Sequence, residues 1–185
     1  MDNGASSYRR FLEGDDSGIV DIIQLYKDGL IFYLNGYTQN FPITEELTED
    51  VFFKLVIKKP KYTEKYSFKT WLYTIGRNVA INYMKRNRRL MSKPIDELES
   101  LCREENTLEQ TFLTEERKVM VHKTLSKLKA EYREVLCLRY FEEMTNEDAA
   151  KVMKKSKRQI ENLTFRAKQS LRCQLEKEGF IYEEL

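Results

Sequence analysis

One histidine, three cysteines, three prolines and one tryptophan in 185 residues narrow the chemistry before any motif is sought. His122 stands alone, and Cys102, Cys137 and Cys173 form no Cys-x-x-Cys pair, so the donor sets of a zinc site are missing and no metal is expected. With so little histidine and no glycine-rich phosphate loop, few means remain for catalysis; an enzyme is disfavoured and no cofactor is expected. An odd number of widely spaced cysteines makes no disulfide framework, and reduced thiols are the default. Cys137 and Cys173 fall in helical patterns and are expected as packing residues. No run approaches the roughly 18 apolar residues of a membrane span. The first seven residues lack the basic-then-apolar profile of a signal peptide, so the expectation is a cytoplasmic protein without direct membrane insertion.

Charge is plentiful, at 34% of residues, but the net +2 conceals strong segregation. Residues 1–50 carry 3 basic and 10 acidic side chains, and residues 51–93 carry 12 and 1. Residues 94–116 return to 1 and 8, and residues 117–185 hold 16 and 11. Two basic blocks parted by an acidic spacer suggest two nucleic-acid contacts on one chain, with acidic surfaces left for another partner. Solvated helix faces are the plainer alternative, although a 43-residue block with one acid is hard to produce that way.

The apolar spacing predicts helices throughout and no convincing strand, hence an all-α fold. A first helix is expected from Ser17 to about Tyr37, burying Ile19, Ile22, Ile23, Tyr26, Leu30 and Leu34. Thr44 is the expected N-cap of a second, with Glu45 and Glu46 at the positive end of its dipole. That helix buries Leu47, Val51, Phe52, Leu55 and Val56, and Pro60 ends it. Ser67 caps a third. Around Pro94 the pattern degrades into a scatter of acids that reads as a linker. Helical spacing returns with Val119, His122, Leu125 and Leu128, then Tyr132, Val135, Leu136, Leu138 and Phe141. Thr145 starts another helix with Ala149, Ala150 and Val152 as its small face. The pair Ser156 and Gln159 forms a capping box before a last helix carrying Ile160, Leu163, Ala167 and Leu171, and Gly179 marks its stop. The residues from Gly179 to Leu185 are expected to be too few for a further sensory domain.

The third helix is the most informative. Phe68, Leu72, Ile75 and Val79 form a stripe that can enter a core. The remainder carries Trp71, Tyr73, Arg77, Asn78, Asn82 and Tyr83, then Lys85, Arg86, Arg88 and Arg89. Rings stack on bases, amides read base edges and cations neutralise the backbone, which suits partly opened DNA. A core helix with a solvated basic end accounts for the same residues.

Residues 145–170 have the proportions of a helix-turn-helix: a short helix with small residues, a tight turn, then a longer helix that starts polar. The start of that second helix would present Lys157, Arg158, Gln159, Glu161 and Asn162 to base edges, with Arg166 among the cations nearby. A duplex-binding regulator would explain this segment alone and leave the aromatic, basic helix idle.

Taken together, the segments resemble the extracytoplasmic-function sigma factors, the smallest class of promoter-recognition subunits of bacterial RNA polymerase. The resemblance spans about residues 8–175. Thr44-Glu-Glu-Leu-Thr-Glu-Asp-Val-Phe52 resembles the family's polymerase-gripping helix, and Phe68 to Tyr83 its −10 helix. Leu125 to Phe141, with the helix-turn-helix ending Phe165-Arg-Ala-Lys168, resembles its −35-binding domain. The resemblance implies two small helical domains, 1–91 (sigma domain two) and 116–185 (sigma domain four), joined by an acidic linker, 92–115. It implies that Glu46, Glu49 and Asp50 meet core polymerase, whose β′ and β subunits are the expected partners. It assigns Lys58, Lys61, Trp71, Asn78, Lys85, Arg86, Arg88 and Arg89 to −10 DNA. Lys157, Arg158, Gln159, Glu161, Asn162 and Arg166 fall to −35 DNA. A base of the non-template strand would be received near the loop Lys58 to Tyr66, and an anti-sigma factor is a further expected partner. Two departures from the family pattern stand out: Lys129-Ala130 at a helix junction, and Lys155 at a usually apolar turn position.

Overall fold

The computed structural model describes residues 3–91 and 123–178, and the side chains of 4–88 and 123–178. The described residues contain helices and turns and no strand. The chain divides into two compact units, Met1–Leu108 and Glu109–Leu185. The expected linker at 92–115, with Val119, His122 and Gly179, lies outside the described residues.

The first unit is a four-helix bundle: α1 (Asn3–Leu12), α2 (Ser17–Thr38), α3 (Phe41–Lys58) and α4 (Phe68–Met91). Helix α1 lies ahead of every expected element. Its ten residues hold two arginines and two serines, and the aromatic pair Tyr8 and Phe11, both buried, is the face it contributes. Helix α2 starts at Ser17 as the spacing predicts; the Asp15 carboxylate accepts the Ser17 amide at 3.0 Å and hydroxyl at 2.6 Å. Ile19, Ile22, Tyr26, Leu30 and Leu34 are buried along it, with Ile23 left half-buried at the edge.

Helix α3 begins earlier than expected. Asn40 Oδ1 accepts the Ile43 amide at 3.2 Å, and Pro42 occupies the first turn, where its missing N–H costs nothing. Thr44, the expected cap, is inside the helix and fully buried, its hydroxyl donating to the Asn40 carbonyl at 2.8 Å. Asparagine followed by a first-turn proline is the stronger start signal, which moves the boundary by four residues. Val56 is 37% exposed rather than core. Ser67 does cap α4, its hydroxyl accepting the Thr70 amide at 3.1 Å. Phe68, Leu72, Val79 and Ala80 are buried, while Ile75 is half-buried. Gly76 lets α4 approach α2: a Cβ there would stand 3.3 Å from Leu30.

The second unit contains a helical turn at 123–126, α5 (Ala130–Leu136), a π-helical segment (Cys137–Phe141), α6 (Asn146–Met153) and α7 (Lys157–Lys177). Its core joins Leu125, Leu128, Val135, Leu138, Val152 and Ile160. Arg133 ties the start of the unit together, donating to the carbonyls of Ser126 (2.9 Å) and Leu128 (2.7 Å). The i→i−5 bond from the Glu142 amide to the Cys137 carbonyl, at 3.0 Å, takes the chain out of α register. That rotation leaves Phe141, expected in the core, 45% exposed. The Thr145 hydroxyl accepts the Asp148 amide at 3.1 Å to start α6. The capping box of α7 forms as expected. Cys137 is buried, but Cys173 is exposed and does not pack, because its position on α7 falls outside the Ile160–Ala167 stripe. Lys155 at the turn is met by Glu131 at 3.1 Å.

Candidate nucleic-acid and polymerase interfaces

Three surfaces carry the expected site residues, two on the first unit and one on the second. On α3, Glu46, Glu49, Asp50 and Phe53 recur at spacings of three and four and share one face. All four are exposed, Phe53 by 62%. The acids make no ion pair with each other's neighbours among the described residues, and like charges at these spacings repel. They rim a groove of about 540 Å³ between α2 and α3 whose apolar wall includes Ile23, Ile31, Phe52 and Val56. An acidic rim over an apolar floor suits a partner that offers cations around an apolar contact.

The second surface joins the loop before α4 to the exposed side of α4. At about 100° per residue, Trp71, Asn78, Asn82 and Lys85 fall within a strip about 60° wide, and Arg86 borders it. Asn78 is half-buried, and Asn82, Lys85 and Arg86 are exposed. Arg88 is exposed but lies about 60° beyond the edge of the strip. Arg89 continues the helix, and its side chain is outside the described set. Lys58 and Lys61 are exposed at the end of α3 and in the loop. Trp71 is half-buried in an aromatic cluster, its ring 5.2 Å from Tyr8, 5.2 Å from Tyr62 and 5.3 Å from Phe68. Tyr73 departs from its expected place beside the DNA-facing residues. It is fully buried against Tyr33, with ring centroids 5.2 Å apart, because it points inward two residues beyond Trp71. The Tyr83 hydroxyl accepts the Asn87 side-chain amide at 3.0 Å.

The third surface is the start of α7. Arg158, Glu161, Asn162 and Phe165 form a row opposite buried Ile160 and Ala167, and all four are exposed. Arg166, also exposed, borders it. Lys157 and Gln159 flank the row and already hold partners. Lys157 Nζ is 2.5 Å from Glu147 on α6, which holds that carboxylate below its usual range and raises the lysine. Gln159 Oε1 accepts the Ser156 amide at 2.7 Å, which ties its side chain to the cap.

Several residues at these surfaces had no signal in the sequence. Tyr8 and Arg9 lie against the loop and Tyr62 within it, yet each looks like an isolated polar or aromatic residue until α1 folds beside the loop. Glu147 sits ten residues from Lys157 and meets it only through the helix-turn-helix. Exposed Phe53 and Phe165 were visible as aromatics that fall off their helices' apolar stripes.

Among the described residues no helix is long and apolar enough to cross a membrane. The Sigma-70 region 2 model matches residues 22–90, and the Sigma-70 region 4 model matches residues 118–171. The chain is 27% identical over 155 residues to the ECF RNA polymerase sigma factor SigM of Bacillus subtilis (strain 168), covering 84% of this chain and 93% of that protein. It is 26% identical over 160 residues to RNA polymerase sigma factor YlaC of the same organism, covering 86% and 92%. Against the ECF RNA polymerase sigma-E factor of Escherichia coli (strain K12) identity is 23% over 170 residues, with 88% of each covered. The fold is similar to that of CnrH solved with the cytosolic domain of CnrY, with TM-score 0.65 and 19% identity over 95% of this chain and 96% of that one. It is also similar to RpoE solved with the anti-sigma factor NepR from Bartonella quintana, with TM-score 0.64 and 24% identity over 84% and 95%.

Two region matches in chain order, one on each helical unit, define a promoter-recognition subunit of the sigma-70 type. The chain belongs to the extracytoplasmic-function class of RNA polymerase sigma factors. It is an initiation factor rather than an enzyme: it binds core RNA polymerase and directs promoter-specific transcription initiation.

Proposed function

We propose that the three surfaces divide the work of initiation among themselves. Residues 1–91 act as sigma domain two, 92–115 as the acidic linker and 116–185 as sigma domain four. The acidic face of α3, with Glu46, Glu49 and Asp50, docks on basic helices of the β′ subunit, its apolar groove supplying the centre of the contact. The α4 strip with Trp71, Asn78 and Lys85, Arg86 at its border, Arg88 and Arg89 further along the helix, and the loop with Lys58 and Lys61, hold the −10 element as it opens. The exposed row on α7, Arg158, Glu161 and Asn162, reads the −35 element, with Lys157, Gln159 and Arg166 at its borders. The observation that carries this reading is the separation of charge on the first bundle: acids gather on α3 and cations on α4 and the preceding loop. One face therefore repels DNA phosphate while the other attracts it.

The protein works in the cytoplasm, where its polymerase resides, and an anti-sigma factor is its regulator. CnrH and RpoE were each solved with such a cytosolic or anti-sigma partner, and the exposed apolar groove of α2 and α3 is a surface that control of this kind would have to cover. The test is a pull-down of core polymerase and a footprint of the reconstituted holoenzyme. Charge reversal on α3 should abolish the first, and Asn78→Ala should reduce permanganate reactivity of the −10 region more than closed-complex binding. Retention of both in the variants would contradict the assignment.

A further inference from the structure

We propose that helix α1 braces the loop ahead of α4, with Tyr8 and Arg9 as positioning residues for base discrimination at the −10 element. The proposal rests on the reading of that loop as the −10 contact. Residues 61–63 have no regular structure and 64–66 are bends, so the loop's shape must come from contacts made elsewhere. Two of its non-glycine residues, Lys59 and Glu64, hold left-handed backbone angles, φ 41° and 55°. Lys59 is the C-cap of α3, where that angle is common, whereas the angle at Glu64, inside the loop, persists where its surroundings hold it.

Helix α1 supplies those surroundings at three successive points. The Tyr8 hydroxyl donates to the Pro60 carbonyl at 2.8 Å. Arg9 donates to the Glu64 carboxylate at 2.6 Å. The Lys59 ammonium stands 4.9 Å above the Phe11 ring. Both left-handed residues are therefore touched from α1, and Pro60, directly after Lys59, is hydrogen-bonded to it. The Tyr8 ring also lies 5.5 Å from Phe68 and 5.2 Å from Trp71, so the same side chain fixes the loop and the start of α4 in register. Burial pushes the Tyr8 phenol up to about 12, which keeps it a donor across the physiological range. The far half of the loop closes on itself: the Tyr62 hydroxyl donates to the Tyr66 carbonyl at 2.5 Å, and the Tyr62 ring packs on Phe68 and Trp71.

With its inner side pinned, the loop turns Lys61, Thr63, Lys65 and Tyr66 to solvent. A base leaving the duplex has to be received by groups already in place, since ordering the receiver at that moment would subtract from the affinity that discriminates one base from another. The brace pays that ordering during folding. Helix α1 is itself fixed to α2 by Arg10, which donates to Asp15 at 3.0 Å and to Asp21. The Arg9–Glu64 pair is exposed, and a lone exposed pair contributes little to stability. Altering it therefore leaves the bundle folded, and what the change removes is a contact on Glu64.

The experiment uses holoenzyme reconstituted from core polymerase and the full chain. The template is one promoter from which it initiates, randomised across the −10 element, with transcripts sequenced to give base preference at each position. Tyr8→Phe removes only the hydroxyl bond, and Arg9→Glu removes the ion pair. Each should flatten preference at one or two −10 positions at least threefold, with core binding and −35 preference unchanged and, for Arg9→Glu, the thermal midpoint unchanged as well. The exchange Arg9→Glu with Glu64→Arg should restore preference. A second variant, Lys61→Ala with Thr63→Ala and Tyr66→Ala, probes the outer side of the loop. If that variant alters preference while Tyr8→Phe and Arg9→Glu match the parent, the brace is overturned and the loop reading survives. If the outer-side variant also matches the parent, the loop reading falls and the brace with it.

Discussion

Gly18 on α2 sits against the Ser7 carbonyl of α1 so closely that a Cβ at position 18 would overlap that oxygen and stand 2.8 Å from the Phe11 amide nitrogen. Both obstacles are backbone, which cannot swing aside as a side-chain end can. Gly18→Ala should therefore destabilise the first unit by about 1–3 kcal/mol, the range of overpacked cores. Gly36 on α2, where nothing lies within 4 Å of an added Cβ, is the control. Gly36→Ala should be neutral or stabilise by about 0.5–1 kcal/mol through the helix backbone alone. Urea unfolding of the three proteins checks both values.

On α3 the expectation is a loss of association without a loss of fold. Glu49→Lys with Asp50→Lys places cations where two exposed acids stand, so the core of the bundle is untouched. Binding to core polymerase should weaken more than tenfold, about 1.4 kcal/mol or more, while circular dichroism and the thermal midpoint stay at parental values. Surface plasmon resonance on immobilised core enzyme measures it, and undiminished binding would remove α3 from the interface.

The start of α7 separates two kinds of residue. Arg158→Ala and Asn162→Ala should each cost about 1–3 kcal/mol on the preferred −35 sequence and relax preference at one base pair. Gln159→Ala should act differently. Its carbonyl closes the capping box with Ser156, so the substitution should lower the stability of the second unit by about 1 kcal/mol. Gel-shift titration against −35 variants, alongside thermal unfolding, distinguishes the two patterns.

How much of this was legible in the sequence differs from element to element. The all-α fold, the start of α2, the Ser67 cap and the Ser156–Gln159 box follow from spacing and caps alone, because they are local signals. The start of α3 was misplaced. Asn40 and Pro42 preceded the acidic pair at Glu45 and Glu46, and the dipole argument favoured the later Thr44. Helix α1 has no periodic apolar stripe to announce it: its large buried side chains are Tyr8 and Phe11, and the partners of Tyr8 in the loop and α4 are up to some sixty residues away. Phe141 and Cys173 counted as core by helical period. A π segment displaced the first, and the stripe of α7 excluded the second. Tyr73 goes the other way, grouped with the residues off the apolar stripe but buried on Tyr33. Charge and family pattern point to the candidate DNA and polymerase residues, and their common faces emerge only from the folded helices.

An acid-side dependence should follow from Glu178. Its carboxylate accepts from Lys127 at 2.5 Å and from the Thr124 hydroxyl at 3.2 Å, which holds it below the usual carboxylate range, the lysine contributing most. A folded-state value below the unfolded one stabilises at high pH, and the contribution disappears as pH falls through the carboxylate range. Between roughly pH 6 and pH 3, the thermal midpoint of Glu178→Gln should therefore fall less steeply than that of the parent. Parallel curves would mean that the pair contributes nothing.

The most direct measurement is run-off transcription with purified core polymerase on fragmented genomic template, with the 5′ ends of the transcripts mapped by sequencing. Adding the protein should produce a discrete set of start sites that core enzyme alone does not give, each preceded by two shared upstream elements. Asn162→Ala should depress all of them, and Glu49→Lys with Asp50→Lys should abolish them. A start-site profile identical with and without the protein would contradict its action as the subunit that selects promoters.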